Sequence, residues 1–99
     1  MNTTLCIGIS SNRDSYEVAA LEPGSGAVCM KFPATAMGLE GIKVFLAGHT
    51  SPLRLAVAGA AALSLALVLG QTPGSEVFIV SASLAGQPVA LAHYAERSS

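Results

Sequence analysis

Leu53-Arg54-Leu55-Ala56-Val57-Ala58-Gly59-Ala60-Ala61-Ala62-Leu63-Ser64-Leu65-Ala66-Leu67-Val68-Leu69-Gly70 is the stretch on which the fold turns. Beyond Arg54 it carries no charge as far as Gly70. A membrane-spanning helix wants about 20 predominantly apolar residues. The uncharged run is shorter than that, and much of it is alanine, which adds little to insertion. It also divides. Leu53 to Ala58 has the character of a strand, Gly59 marks a strand-to-helix turn, and Ala60 to Leu69 reads as an alanine- and leucine-rich helix. A buried strand followed by a buried helix fits better than a membrane span.

Upstream, Thr3 to Ser10 (TTLCIGIS) is rich in β-branched and apolar residues and stops at a polar cluster, Ser10-Ser11-Asn12-Arg13-Asp14. Ser15 to Glu22 (SYEVAALE) alternates as a half-buried strand does, with Tyr16, Val18 and Ala20 set against Glu17 and Ala19. Pro23-Gly24-Ser25-Gly26 is a turn, because proline presets φ and the glycines allow positive φ. Ala27 to Phe32 is a third strand, and short turns between the strands give an antiparallel meander. The period then changes. Met37, Leu39, Ile42, Val44, Phe45 and Leu46 recur near helical spacing from Thr35 to Ala47, with Thr35 the expected N-cap and Gly48 the stop. After the central stretch, Pro73-Gly74 is expected to close its helix. Glu76 to Ser81 (EVFIVS) reads as a fifth strand and the most apolar, and Pro88 opens a last helix over Val89 to Glu96.

The expected order is β-β-β-α-β-α-β-α, a single domain spanning residues 1–99. Helices joining the later strands imply parallel pairing through right-handed crossovers. The chain is 52% hydrophobic and 11% charged, with a net charge of −1. That balance excludes disorder and suggests apolar surface left over for a partner. Its cations, Arg13, Lys31, Lys43, Arg54 and Arg97, are scattered singly. Phosphate backbones are bound by clustered basic residues, so composition argues against nucleic-acid binding. Cys6 and Cys29 are not at metal-ligand spacing and read as small buried hydrophobes rather than a disulfide. Met1-Asn2-Thr3-Thr4 shows no basic stretch of an export signal, so a cytoplasmic location is expected.

Gly8-Ile9-Ser10-Ser11-Asn12-Arg13 after Leu5-Cys6-Ile7, then Glu17-Val18-Ala19-Ala20-Leu21, then Phe32-Pro33-Ala34-Thr35-Ala36-Met37-Gly38, and later Gly74-Ser75-Glu76-Val77, fall in a telling sequence. Their order and spacing resemble the ribonuclease-H-like, RuvC-like N-terminal domain of insertion-sequence transposases with a DEDD active site. The resemblance covers essentially the whole chain and implies a mixed five-stranded sheet in order 3-2-1-4-5. It also implies where catalysis would sit, since such enzymes hold divalent metal ions on carboxylates. Here the aspartate position of the first strand is Ser10, and the glutamate motif after the fourth strand falls near Ala58-Gly59-Ala60. No Asp or Glu lies between Glu40 and Glu76. A neutral hydroxyl is a poor Mg²⁺ ligand, so neither metal nor cofactor is expected and the reading is of a protein that is not an enzyme.

Ser10, Ser11, Asn12, Asp14, Ala58 and Gly59 would then line a vestigial cleft. Asp14 and Asn12 read first as turn residues, and His49, His93 and Tyr94 as solvated or packing residues. The expected function is protein–protein interaction by a homodimer or with another protein. Its candidate surface is one face of the Ala/Leu helix (Ala60, Leu63, Leu67), unless that helix is wholly buried in the monomer. The alternatives are a nucleic-acid-binding regulator that keeps the groove without the metal site, and a small-ligand binder at the cleft.

Overall fold

Asn12 turns the chain for the first time. Its side-chain Oδ1 accepts hydrogen bonds from the N–H of Asp14 (3.0 Å) and of Ser15 (2.9 Å), so the side chain itself shapes the reversal. In this computed structural model the described residues are 4–22, 24, 26–49 and 52–98, with the side chain of Ala82 outside them. The strands are β1 (Leu5–Ser11), β2 (Ser15–Glu22), β3 (Gly26–Pro33), β4 (Leu53–Gly59) and β5 (Ser75–Ile79). The helices are α1 (Ala36–Ala47), α2 (Ala62–Leu69) and α3 (Pro88–Arg97), with a 3₁₀ turn over Ala82–Leu84. Thr3 and the turn residues Pro23 and Ser25 lie outside the described residues.

One 5-stranded sheet runs β3-β2-β1-β4-β5. β2 lies antiparallel to β1 and β3, while β4 lies parallel to β1 and β5. The strand order and mixed pairing are those expected. Central β1 is buried along its whole length. Its register against β4, from Leu5↔Leu53 to Ser11↔Gly59, aligns the stretch that decided the fold with the first strand of the chain.

Side chains alternate across a strand, so each register assigns residues to a face. Leu5, Ile7, Ile9, Val18, Ala20, Leu55 and Val57 point to one side, where α1 and α2 bring Ile42, Leu46, Ala62, Leu65 and Leu69. Burying each large aliphatic side chain there contributes roughly 1.5–3 kcal/mol. Cys6, Ala56 and Ala58 point to the other side, against Leu91 and Ala95 of α3. Between them, Gly8 lets α3 approach very closely. A Cβ built on Gly8 would collide with the Pro88 carbonyl oxygen and the Ala92 nitrogen.

Helix ends follow local chemistry. Thr35 caps α1, its Oγ1 accepting from the N–H of Gly38 at 3.2 Å. Pro88 occupies the first turn of α3, where its missing N–H leaves no gap. Several expectations need correction. The helix read from Ala60 begins at Ala62, after a turn set by Gly59 at φ +105°. It ends at Leu69 with Gly70 as its cap, ahead of Pro73-Gly74, where the N–H groups of Gln71 and Thr72 turn back only three residues, to Val68 and Leu69. β5 holds the edge that the order 3-2-1-4-5 gives it but spans Ser75–Ile79 rather than Glu76 to Ser81, with Ser75, Val77 and Phe78 half-buried. Ala19 is buried because α3 covers its side of the sheet as well. Cys29, read as buried, is exposed on edge strand β3. Among the described residues no helix is long and apolar enough to cross a membrane.

Candidate functional site

Strand alternation separates the two serines at the end of β1. Ser10 is fully buried on the α3 side, and its Oγ accepts the backbone N–H of Gly86 in the loop before α3. Ser11 is buried as well, and its Oγ accepts from the N–H of Ala61, the cap residue of α2, at 3.0 Å. The Ser11 carbonyl accepts from the Ala60 N–H at 3.2 Å. α2 has no side-chain cap of its own. Ser11 thus supplies from β1 an acceptor for the Ala61 N–H, one of the groups that open a helix without a partner inside it. Both hydroxyls therefore pin connections into the second half of the chain.

The rest of the expected cleft is distributed around these pins. Ala58, register partner of Ser10, is fully buried. Gly59 makes the turn into α2, and a Cβ there would collide with the Ser11 carbonyl. Asn12 is exposed and builds its turn, also accepting from Ser15 Oγ at 3.2 Å. Asp14 is an exposed turn residue. The structure thus brings Ser10, Ser11, Ala58 and Gly59 together at the ends of β1 and β4, with Asn12 and Asp14 in the adjoining turn. Ser10 and Ser11 are inaccessible to a ligand, so solvent meets mainly the turn.

A metal ion does not fit this position. Hard divalent cations want several oxygen ligands with carboxylates among them. Here Ser10 and Ala58 are a buried hydroxyl and a methyl, Glu17 across from Ser10 is a single carboxylate bonded by the Asn12 amide, and Asp14 faces water. Among the described residues, no three His, Cys, Asp or Glu side chains gather as a metal-binding set.

An open pocket of about 390 Å³ lies at the other end of β1, lined among others by Thr4, Cys6, Glu22, His93 and Glu96. Burial pushes the Cys6 thiol up from its ordinary value, with Glu96 adding to the effect and Arg54 opposing it. The raised value favours the protonated thiol, so Cys6 is not an activated nucleophile. His93 contacts Glu96 across one helical turn at 3.3 Å. His49, read as a solvated loop residue, is instead partly buried. Its Nδ1 lies 3.0 Å from the Phe45 carbonyl, its ring packs edge-on to Phe45, and its Nε2 lies 3.8 Å from Glu22. Sequence spacing did not reveal that Glu22 and His49, far apart in the chain, approach at one end of the sheet.

The helical surface is more informative. Ala62, Leu65 and Leu69 of α2 are buried, while Leu63 and Leu67 are each 64% exposed. Leu63 and Leu67 stand one turn apart on the same side. Ala60, just before the helix, is exposed too. α2 is therefore buried on one side only, and its outer side is apolar where surface helices usually carry charge. Met37 and Val44 of α1 are the other strongly exposed apolar residues of the two helices. The sequence matches no known protein family and no curated protein.

Proposed function

We propose that the protein is a non-catalytic, ribonuclease-H-like module of the cytoplasm that acts by contact with another protein, in the first instance a second copy of itself. The observation that carries this reading is the apolar ridge of Leu63 and Leu67 on a helix with no charged residue, with exposed Ala60 just before it. A patch of this kind is stabilised when a partner removes it from water. Two features support the non-catalytic part. The hydroxyls at the acid position are engaged in tying β1 to later segments, and neither β1 nor β4 carries a carboxylate, Glu17 of β2 standing alone opposite Ser10. The relation to mobile-element enzymes, and a regulatory role derived from it, rest on the resemblance of sequence order and on the shared strand order.

Light scattering over a dilution series tests the reading, with and without a short DNA duplex at low salt. A mass above the monomer is expected, indifferent to DNA and lowered in the variant Leu63→Glu/Leu67→Glu. An assembly whose mass the double variant leaves unchanged would overturn the ridge as the contact. A salt-sensitive complex with the duplex would replace the reading with that of a nucleic-acid regulator.

A further inference from the structure

The sheet has a second unpartnered element, at the edge away from α2. β3 occupies that edge, and its hydrogen-bonding phase follows from one bond. The Ala34 N–H donates to the Asp14 carbonyl at 3.1 Å, so this pair, in line with the register Ser15↔Pro33, is a hydrogen-bonded pair. Antiparallel pairs alternate in type. Phe32, Met30 and Val28 therefore direct their backbone groups to β2, and Lys31, Cys29 and Ala27 direct theirs outward. The β1–β2 hairpin agrees: the Asn12 N–H donates to Ser15, which leaves the even-numbered residues of β2 facing β3. Ala27, Cys29 and Lys31 are exposed, and among the described residues no side chain bonds their outward groups. Pro33 shares their phase and has no N–H to offer.

We propose that β3 pairs antiparallel with β3 of a second copy about a two-fold axis through Cys29, joining the two sheets edge to edge. The residues select this register. With Cys29 opposite Cys29, Ala27 lies opposite Lys31 of the partner, and every outward N–H of the strand finds a carbonyl. Pro33 then falls beyond the ladder. A shift of one pair in one direction places Pro33 opposite Ala27 and loses donors. A further shift sets Lys31 against Lys31, and like charges directly opposite destabilise a sheet. In the favoured register Lys31 keeps an opposite charge beside it, since Glu17 is its neighbour on β2. On the α1 side, Val28 meets Met30 of the partner, and Phe32 meets Gly26, beside whose Cα there is open space. An aromatic side chain opposite an edge glycine is a stabilising cross-strand arrangement. This contact is separate from the α2 ridge, which belongs to the β4–β5 half, so neither excludes the other.

Oxidative cross-linking tests the pairing. Hydrogen-bonded antiparallel partners have Cα atoms about 5.5 Å apart, inside the ~4.4–6.8 Å range of a disulfide, and a local twist of the two edge strands closes the ~1 Å by which their Cβ atoms exceed its Cβ range. Diamide takes two hydrogens from two thiols and so links Cys29 to Cys29 where the pairing exists, while buried Cys6 stays out of reach. The wild-type protein and Leu63→Glu/Leu67→Glu are expected to cross-link at least about tenfold faster than Lys31→Pro. Lys31→Pro keeps the thiol, removes an outward N–H together with the Lys31 side chain, and fixes a φ that an edge strand tolerates. Lys31→Ala should behave as wild type, and Cys29→Ser should give no linked dimer. Wild-type cross-linking no faster than Lys31→Pro overturns the proposal. Loss of cross-linking in the Leu63→Glu/Leu67→Glu variant also overturns it, by assigning the contact between copies to α2. Should Lys31→Pro fail to fold, amide exchange of the wild type decides. Protection at Ala27, Cys29 and Lys31 that rises with protein concentration supports the pairing; protection independent of concentration overturns it.

Discussion

The two faces of the sheet are packed by opposite means. On one side Ile7, Ile9, Leu55 and Val57 reach up to Ile42, Leu65 and Leu69, and the space is filled by branched side chains. On the other, Cys6, Gly8, Ala19, Ala56 and Ala58 leave almost no side-chain volume, and α3 settles nearly onto the backbone. A face built from volume tolerates the loss of a methyl by partial collapse, whereas a face built from close approach has nowhere to put an added one.

The sharpest way to break the difference is Gly8→Ala. The new Cβ meets backbone atoms of Pro88 and Ala92 rather than a flexible side-chain end. We expect a loss of more than about 3 kcal/mol by chemical denaturation. On the opposite face, Leu65→Ala should cost about 2–5 kcal/mol by the same measurement and leave α3 in place. If Gly8→Ala proves nearly neutral while Leu65→Ala does not, the close face is looser than its geometry states.

Ser10→Ala probes a polar tie within the small-residue face. It leaves the Gly86 N–H without its buried acceptor, and a loss of about 1–3 kcal/mol is expected, smaller than that of Leu65→Ala. Urea unfolding of the pair of variants would rank them. A Ser10→Ala protein as stable as wild type would show that water satisfies Gly86.

Cys6 gives the smallest effect. Its pKa is raised in the folded protein, so the folded state holds the thiol proton more tightly than the unfolded chain does. The associated stability is fully present below the ordinary thiol value of 9.0 and is lost as pH rises through the higher folded value. Melting temperature should therefore fall more steeply above that pH in wild type than in Cys6→Ala. Parallel alkaline slopes would remove Cys6 as the cause.

Much of this contrast was legible in the residues, but only on one side. Apolar periodicity located the strands and α1, and the division of residues 53–70 at Gly59 set the order of elements, whereas the strand order came from the resemblance to ribonuclease-H-like domains. Alternation predicts which side chains of a half-buried strand face a core, and it failed at Ala19 because a second helix covers the other face. The EVFIVS segment sits at the edge that the order 3-2-1-4-5 assigns it, and only its C-terminal bound was read too far, to Ser81 instead of Ile79. At the candidate site, the missing carboxylates were visible in the sequence, as was the turn-forming role of Asn12. The bonds from Ser10 to Gly86 and from Ser11 to Ala61 were not, because they join residues far apart in the chain. His49 was misread for the same reason, its neighbours being a helix end and a distant strand.

The placement of β1 at the centre of the sheet also sets the timing of assembly. Its antiparallel partner β2 follows within a few residues, so the hairpin can form as soon as both strands exist. Its parallel partner β4 comes much later, and α3, which closes over Gly8, later still. Contacts between distant segments slow folding because the loop between them must be closed before they reward it. During synthesis the most completely buried strand of the protein therefore waits with one edge and both faces uncovered. That interval, rather than the finished fold, is where the chain is most exposed to aggregation and most dependent on a chaperone.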